Sequence, residues 1–163
     1  MKTIIFILLS CFIAVAQADD DHHSANDWRY SDDDERKVDH LVKLVPGTSH
    51  WMVEMGERYQ NLYWAAKQEK WEFAQYQVEE MASLIEIVAR ARPSRAITAG
   101  EFMDVAFDPV ERALESQDWK RFENAFQQLR SECISCHNKN DHDFVVIPVT
   151  PAWAPSPVLN MAR

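Results

Sequence analysis

The sequence predicts an all-α protein built as an antiparallel four-helix bundle, and three observations carry that reading. Only 3 of its 163 residues are glycine, and hairpin dipeptides such as Asn-Gly or Asp-Gly are absent, so tight β-turns have few places to form. Apolar residues recur at spacings of three and four in separate stretches, which is the repeat of an amphipathic helix. Turn and breaker residues divide those stretches. Hydrophobic residues make up 47% of the chain, enough for a core, and the length suits one domain with extensions.

The chain opens with Met1-Lys2-Thr3, an apolar run from Ile4 to Ala16, and the small-x-small site Ala16-Gln17-Ala18. A basic start, an apolar stretch and such a site make a secretory signal peptide, residues 1–18, cleaved after Ala18. The run is short for a membrane span, which takes about 20 residues, and no later segment reaches that length. A lipoprotein signal ending at Cys11 is the rival reading. The apolar run continues past Cys11, which argues against it. Residues 19–46 form an acidic N-terminal arm. Its part DDDHHSANDWRYSDDDERK has few apolar residues and crowded acids, as expected of a flexible solvated segment. His22 and His23 beside Asp19 to Asp21 could hold a divalent ion loosely, but a solubilising charged tail is the simpler account. A short apolar stretch, Val38 to Val45, ends at the turn Pro46-Gly47.

The bundle is expected over residues 47–142. Thr48 or Ser49 supplies an N-cap, and the first helix runs to about Gln68 on the stripe Met52, Met55, Tyr59, Leu62, Ala66. The second spans about Lys70 to Ala91 on Trp71, Ala74, Val78, Met81, Ile85 and Val88. Arg90 and Arg92 favour its C-terminal dipole, and Pro93 stops it. A third helical region begins with the capping-box pattern Thr98-Ala99-Gly100-Glu101. Asp108-Pro109 kinks it or splits it in two before Glu115. The fourth helix starts at Ser116 or Asp118. Its stripe Trp119, Phe122, Phe126, Leu129, Cys133, Cys136 runs straight into the cysteines, with His137 on the same face. Trp64, Trp71, Trp119, Phe122 and Phe126 are expected in the core. Residues 143–163 contain Pro148, Pro151, Pro155 and Pro157, so an extended tail follows. Its segment Phe144 to Ile147 is expected to pack on the bundle, with a short strand as the alternative.

After cleavage the cysteines left are Cys133 and Cys136. Exported cysteines usually pair, but a disulfide between residues three apart closes too small a loop to stabilise much. Cys133-Ile134-Ser135-Cys136-His137 has the form C-x-x-C-H, the attachment motif of c-type haem. Two thiols at i and i+3 of a helix point the same way and can form thioethers with the two vinyl groups. The adjacent imidazole then reaches the iron. Covalent bonds retain the group without a deep pocket, which suits an exported protein. Two other readings of Cys-x-x-Cys stay open. A thioredoxin-type dithiol needs the motif to open a helix in a strand–turn–helix setting. Half a zinc site needs further ligands from His137, His142 or distant histidines.

The motif on a last helix, near the C-terminus, of an exported four-helix chain resembles the class II cytochromes c, the cytochrome c′-like group, over roughly Thr48 to His142. The segments Leu62-Tyr63-Trp64-Ala65-Ala66 with Trp71 and Tyr76, and His142-Asp143-Phe144-Val145-Val146-Ile147, also look like a branch of uncharacterised bacterial cytochromes. The acidic arm and the Pro-rich tail depart from that pattern. The resemblance implies a haem lodged between the first and last helices of the bundle, with His137 as proximal iron ligand. It also implies that a first-helix residue lies over the distal face, in the stretch Ser49 to Tyr59. Met52 is the expected distal ligand, with His50, Met55 or an open position as alternatives. The bland account of both methionines is core packing. His142, or Arg90, Arg92 and Arg95, are candidates for the haem propionates, although a solvated loop and a dipole-stabilised surface cluster would explain them equally.

The expected function is that of a soluble periplasmic one-electron carrier, not an enzyme, holding one covalent haem c on Cys133 and Cys136. The alternative is a five-coordinate, cytochrome c′-like binder of nitric oxide or carbon monoxide. A peroxidase-like enzyme would need a distal acid–base group, for which His50 is the candidate. The formal charge is −9, and losing Lys2 makes it one unit more negative. Such a chain repels nucleic acid and anionic membranes, so the expected partner is a redox protein with a basic docking surface. The resemblance also allows a homodimer through the first two helices.

Overall fold

The computed structural model describes residues 27–153. The expected signal peptide, the start of the acidic arm with His22 and His23, and the last ten residues lie outside them. The described chain is all-helical and contains no strand. It falls into two units, the first ending at Leu44 and the second starting at Val45.

The first unit corrects the expectation of an arm without structure. A 3-10 turn, Trp28–Tyr30, is followed by a helix, α1, over Asp34–Leu44. Local chemistry explains it. Asp33 Oδ1 accepts from the Arg36 amide at 3.1 Å, satisfying one of the free donors of the first turn. Asp34 and Glu35 face the positive end of the helix dipole. Lys37–Asp34 (3.4 Å) and Lys43–Asp39 (2.6 Å) pair along the helix, each worth a few tenths of a kcal/mol, roughly 0.2–0.5. His40 stacks on Trp28. No residue of α1 is buried, so charge pairing and capping, rather than a core, account for it.

The second unit holds α2 (Thr48–Lys67), α3 (Trp71–Ala91), α4 (Ala96–Ala106), α5 (Asp108–Glu115) and α6 (Trp119–Lys139). The expected apolar stripes are the buried ones: Met55, Tyr59, Leu62 and Ala66 of α2, and Ala74, Val78, Met81, Ile85 and Val88 of α3. Asp108-Pro109 splits the third region into α4 and α5, with Pro109 in the first turn where its missing N–H costs nothing. Asp118 caps α6 by accepting from the Arg121 amide at 2.8 Å. Two capping expectations are corrected. Gly47 takes the N-cap of α2 with no side-chain bond, and α4 begins at Ala96 rather than at a box on Thr98 and Glu101. Those two side chains turn to α6 instead: Glu101 pairs with Lys139 at 2.7 Å, and Thr98 bonds Asn140.

Helix α2 packs mainly on α3, α3 on α4 and α5, and α4 and α5 on α6, while α2 meets α6 more sparsely. Phe122, Phe126 and Leu129 of α6 are fully buried, whereas Trp64, Trp71 and Trp119 pack against the core while partly exposed. Tyr63 meets Trp119 and Phe126, and Tyr59 stacks on Phe126 at 4.4 Å.

After α6 the chain forms no further helix up to Trp153, as its prolines require. It is nonetheless fastened to α2 and α6. Tyr59 Oη donates to Pro148 O (3.0 Å), Trp64 Nε1 to Pro151 O (3.2 Å), Gln127 Nε2 to Val149 O (2.9 Å) and Arg130 Nε to Ile147 O (2.8 Å), and Gln60 donates to Ala152 O. Ile147 packs on the core, Pro151 is buried, and Trp153 meets Trp64 edge-on. The side chains of two helices thus supply donors for carbonyls that no ladder would satisfy.

Candidate cofactor-attachment site

Cys133, Cys136 and His137 occupy the last two turns of α6. The helix stops just behind them. His137 O accepts from the amides of Asn140 (3.0 Å) and His142 (2.9 Å), and Asp141 takes a left-handed φ of 60°. That is a common way to satisfy the last carbonyls of a helix. All three motif residues are partly exposed, and the thiols are unpaired. Burial pushes the Cys133 thiol up to about 12, with the neighbouring Cys136 adding to the rise. Burial also raises Cys136, against the pull of Lys139.

These facts weigh on the alternatives for Cys-x-x-Cys. A redox-active dithiol needs a lowered thiol pKa at a helix start. Here both thiols are raised, the motif closes a helix, and the described residues contain no strand. A zinc site needs about four ligands, and among the described residues no group of three or more His, Cys, Asp or Glu side chains is placed to hold a metal.

The imidazole of His137 is half-buried, and its Nδ1 is buried without a hydrogen-bond partner. Burial, then the nearby His142, hold its pKa below the ordinary value. The neutral imidazole, the form that ligates a metal, is therefore favoured.

Polar partners gather on the α4 side of Cys136. Its Sγ points to Thr98 O at 3.9 Å. Asn140 Nδ2 donates to Cys136 O at 2.7 Å and to Thr98 Oγ1 at 3.0 Å, and lies 3.7 Å from Cys136 Sγ. Arg95 Nη1 donates to Asn140 Oδ1 at 2.7 Å. Cys133 packs against the core, and burial, then the Cys133 charge, push the Tyr59 phenol well above its ordinary range.

The three arginines expected at the end of the second helix have different partners. Arg90 pairs with Glu86 on the surface. Arg92 donates to Val45 O and Pro46 O and lies over Trp51. Arg95 is the arginine of the three that reaches the motif. His142 is exposed, stacks on Phe144 and holds Asn140 O at 2.5 Å through Nδ1. Its place is just past the end of α6. Met52 is half-buried and packed on the core, Met55 is buried, and His50 is exposed at the start of α2. Sequence reasoning missed Thr98 and Asn140 as neighbours of the Cys136 thiol. Asn140, one turn after Cys136, was the one readable signal.

The donor set fits a haem. Two unpaired thiols and a neutral, under-bonded imidazole share one helix face. The bridges from Arg92 and Arg95 bring the start of α2 and the end of α6 to the end of α3, where Trp51, Met52 and Ala89 are apolar yet only partly covered. No family model matches the sequence, and neither the curated proteins nor the solved structures contain a match.

Proposed function

We propose that this chain is an exported c-type haem protein of the class II kind, working as a one-electron carrier. The observation that carries the reading is the placement of Cys133, Cys136 and His137 on one face at the end of a long helix, with both thiols unpaired. Cys133 and Cys136 would anchor the haem, and His137 would be the proximal ligand. When bound, the haem supplies a reversible Fe(III)/Fe(II) couple, whose potential depends on axial ligation, burial and hydrogen bonding. The carrier role asks for no catalytic turnover.

An antiparallel bundle is part of the proposal. Moving back along α2 from Tyr63 to Tyr59, the ring partners on α6 move forward from Trp119 and Phe126 to Phe126 alone. Continued by one and two turns, at about 1.5 Å per residue, that order brings Met55 and Met52 to the level of the motif. Met52, less buried than Met55, is our choice of distal ligand, since a partly exposed thioether is free to turn toward a group seated there. His50 is exposed at the helix start, which disfavours a distal acid–base role and hence the peroxidase-like reading.

No helix among the described residues is long and apolar enough to cross a membrane. With the charge of −9, this supports a periplasmic carrier that docks on a basic surface. The test is an optical spectrum after co-expression with a haem-maturation system. Haem that survives denaturation, in a low-spin form with methionine-type charge transfer, would support the proposal. High-spin iron that takes up carbon monoxide readily would replace the carrier with a gas binder. Absence of covalent haem would refute both.

A further inference from the structure

The two thiols of the motif are held by different means. Cys133 packs against the core, so packing restricts its side chain. Cys136 lies on the α4 side, where a polar network replaces packing. Asn140 is its centre, with Nδ2 on Cys136 O and Thr98 Oγ1 and 3.7 Å from Cys136 Sγ. Asn140 is itself fixed by Arg95 at 2.7 Å, and Thr98 Oγ1 donates in turn to Arg95 O at 3.1 Å. The thiol completes the ring by facing Thr98 O at 3.9 Å. Arg95 comes from the turn before α4 and Thr98 from its first turn, so the network ties the attachment helix to a separate element.

We propose that Asn140, held by Arg95 and Thr98, is a positioning residue that fixes the Cys136 thiol for thioether formation. The inference rests on the haem reading above. Addition of a thiol to a vinyl group forms one C–S bond and passes the thiol hydrogen to the neighbouring carbon, with no net oxidation. Its demand is geometric, since a side chain free among three staggered rotamers spends most of its time misaligned. The Asn140 amide meets sulfur through an N–H shared with Cys136 O or Thr98 Oγ1, a contact open before and after the S–H hydrogen is lost, whereas the contact to Thr98 O needs that hydrogen. Asn140 therefore serves in both states.

The test uses the full chain and two readouts. In the haem-free protein, the iodoacetamide rate of Cys136 at full ionisation, taken from its pH profile because the lost donor also raises the thiol, should be roughly fivefold faster in Asn140→Ala, the weight of about one net hydrogen bond. Cys133 should label at its original rate and serves as internal control. In protein made with a maturation system, Asn140→Ala should retain haem through Cys133 with a fraction of Cys136 still free. That fraction is read by thiol labelling and by the red-shifted pyridine haemochrome of a retained vinyl group. Arg95→Met, which cannot hold Asn140 Oδ1, should move both readouts the same way by less. Equal labelling of Cys136 and complete double attachment in both variants would overturn the proposal. A parallel rise at Cys133 would also overturn it, by showing general loosening of the helix end. If the unaltered protein retains no covalent haem, the haem reading falls and the proposal with it. If it retains haem and the variants are fully attached, only the positioning role falls.

Discussion

The two ends of the second unit bury their apolar groups to different degrees. Toward the start of α6, Tyr63, Trp119, Phe122 and Phe126 meet ring to ring at 5.1–5.7 Å, and Tyr59 stacks on Phe126 at 4.4 Å. Phe122 and Phe126 are fully buried, and Lys67 lies 3.9 Å over Trp119. Trp119 is partly exposed there, but the phenylalanines beneath it are closed over by the chain's own side chains. At the motif end, Trp51, Met52, Cys133 and Cys136 remain half-covered, and a buried nitrogen of His137 has no partner. Closed packing is where stability resides. Half-covered apolar groups around an under-bonded imidazole are where a ligand gains the most. On the proposed function, stability resides at one end and cofactor capture at the other.

The largest effect should come from removing the thiols. Cys133→Ser/Cys136→Ser should lose covalent haem completely, read by haem staining after denaturing electrophoresis, while the haem-free protein unfolds close to the unaltered one. Haem surviving denaturation in this variant would take attachment away from the motif end. The reciprocal change is Phe126→Ala. Truncating a fully buried phenylalanine costs about 3–5 kcal/mol, measured by urea unfolding of the haem-free protein. Met52→Ala in the same assay should cost about 1 kcal/mol, since that side chain packs at the edge of the core and is already partly exposed. Equal costs at the two positions would erase the distinction between the ends.

Legibility in the sequence follows the range of the interactions. The stripes of α2, α3 and α6, the break at Asp108-Pro109 and the cap at Asp118 rest on neighbours within one or two turns, and all could be read. The same holds for the face shared by Cys133, Cys136 and His137. Helix α1 was local too, yet it was missed. Its signal is charge pairing and capping by Asp33 rather than an apolar stripe, and a crowd of acids reads as a solvated arm. Thr98 and Glu101 misled for the opposite reason: a valid local capping pattern lost to partners 42 and 38 residues away. The bonds from Tyr59 and Trp64 to the tail span 89 and 87 residues and end on backbone carbonyls, which carry no side-chain signature. The motif was therefore visible and its polar surroundings were not.

A sharper form of the comparison uses the haem-loaded protein, where Met52→Ala should convert low-spin iron to high-spin with little further loss of covalent haem. Met55→Ala, a buried position, should lower stability more and change the spin state less. If the two spectra exchange roles, the distal ligand moves one turn along α2, and the half-exposed methionine becomes a packing residue.

The smallest effect lies between the two ends, at Tyr59. Its ring stacks on Phe126, and its hydroxyl donates to Pro148 O at 3.0 Å. Tyr59→Phe keeps the stack and removes the donor, so the expected cost is about 1 kcal/mol. Pro148 is exposed, and water can replace the lost donor there, which holds the cost near that figure. The effect should be confined to the tail, as faster amide exchange at Val149 and faster proteolysis up to Trp153, with the spectrum of the loaded protein unchanged. The sign with pH follows from burial, which raises the phenol in the folded state above its ordinary 10.0. A group raised on folding stabilises fully below its unfolded pKa and loses that contribution as pH climbs through the folded value. Tyr59→Phe should therefore flatten the fall in stability above about pH 10 and leave the neutral range parallel to the unaltered protein. A spectral change in this variant would place Tyr59 with the motif end instead of with the closed packing it stacks upon.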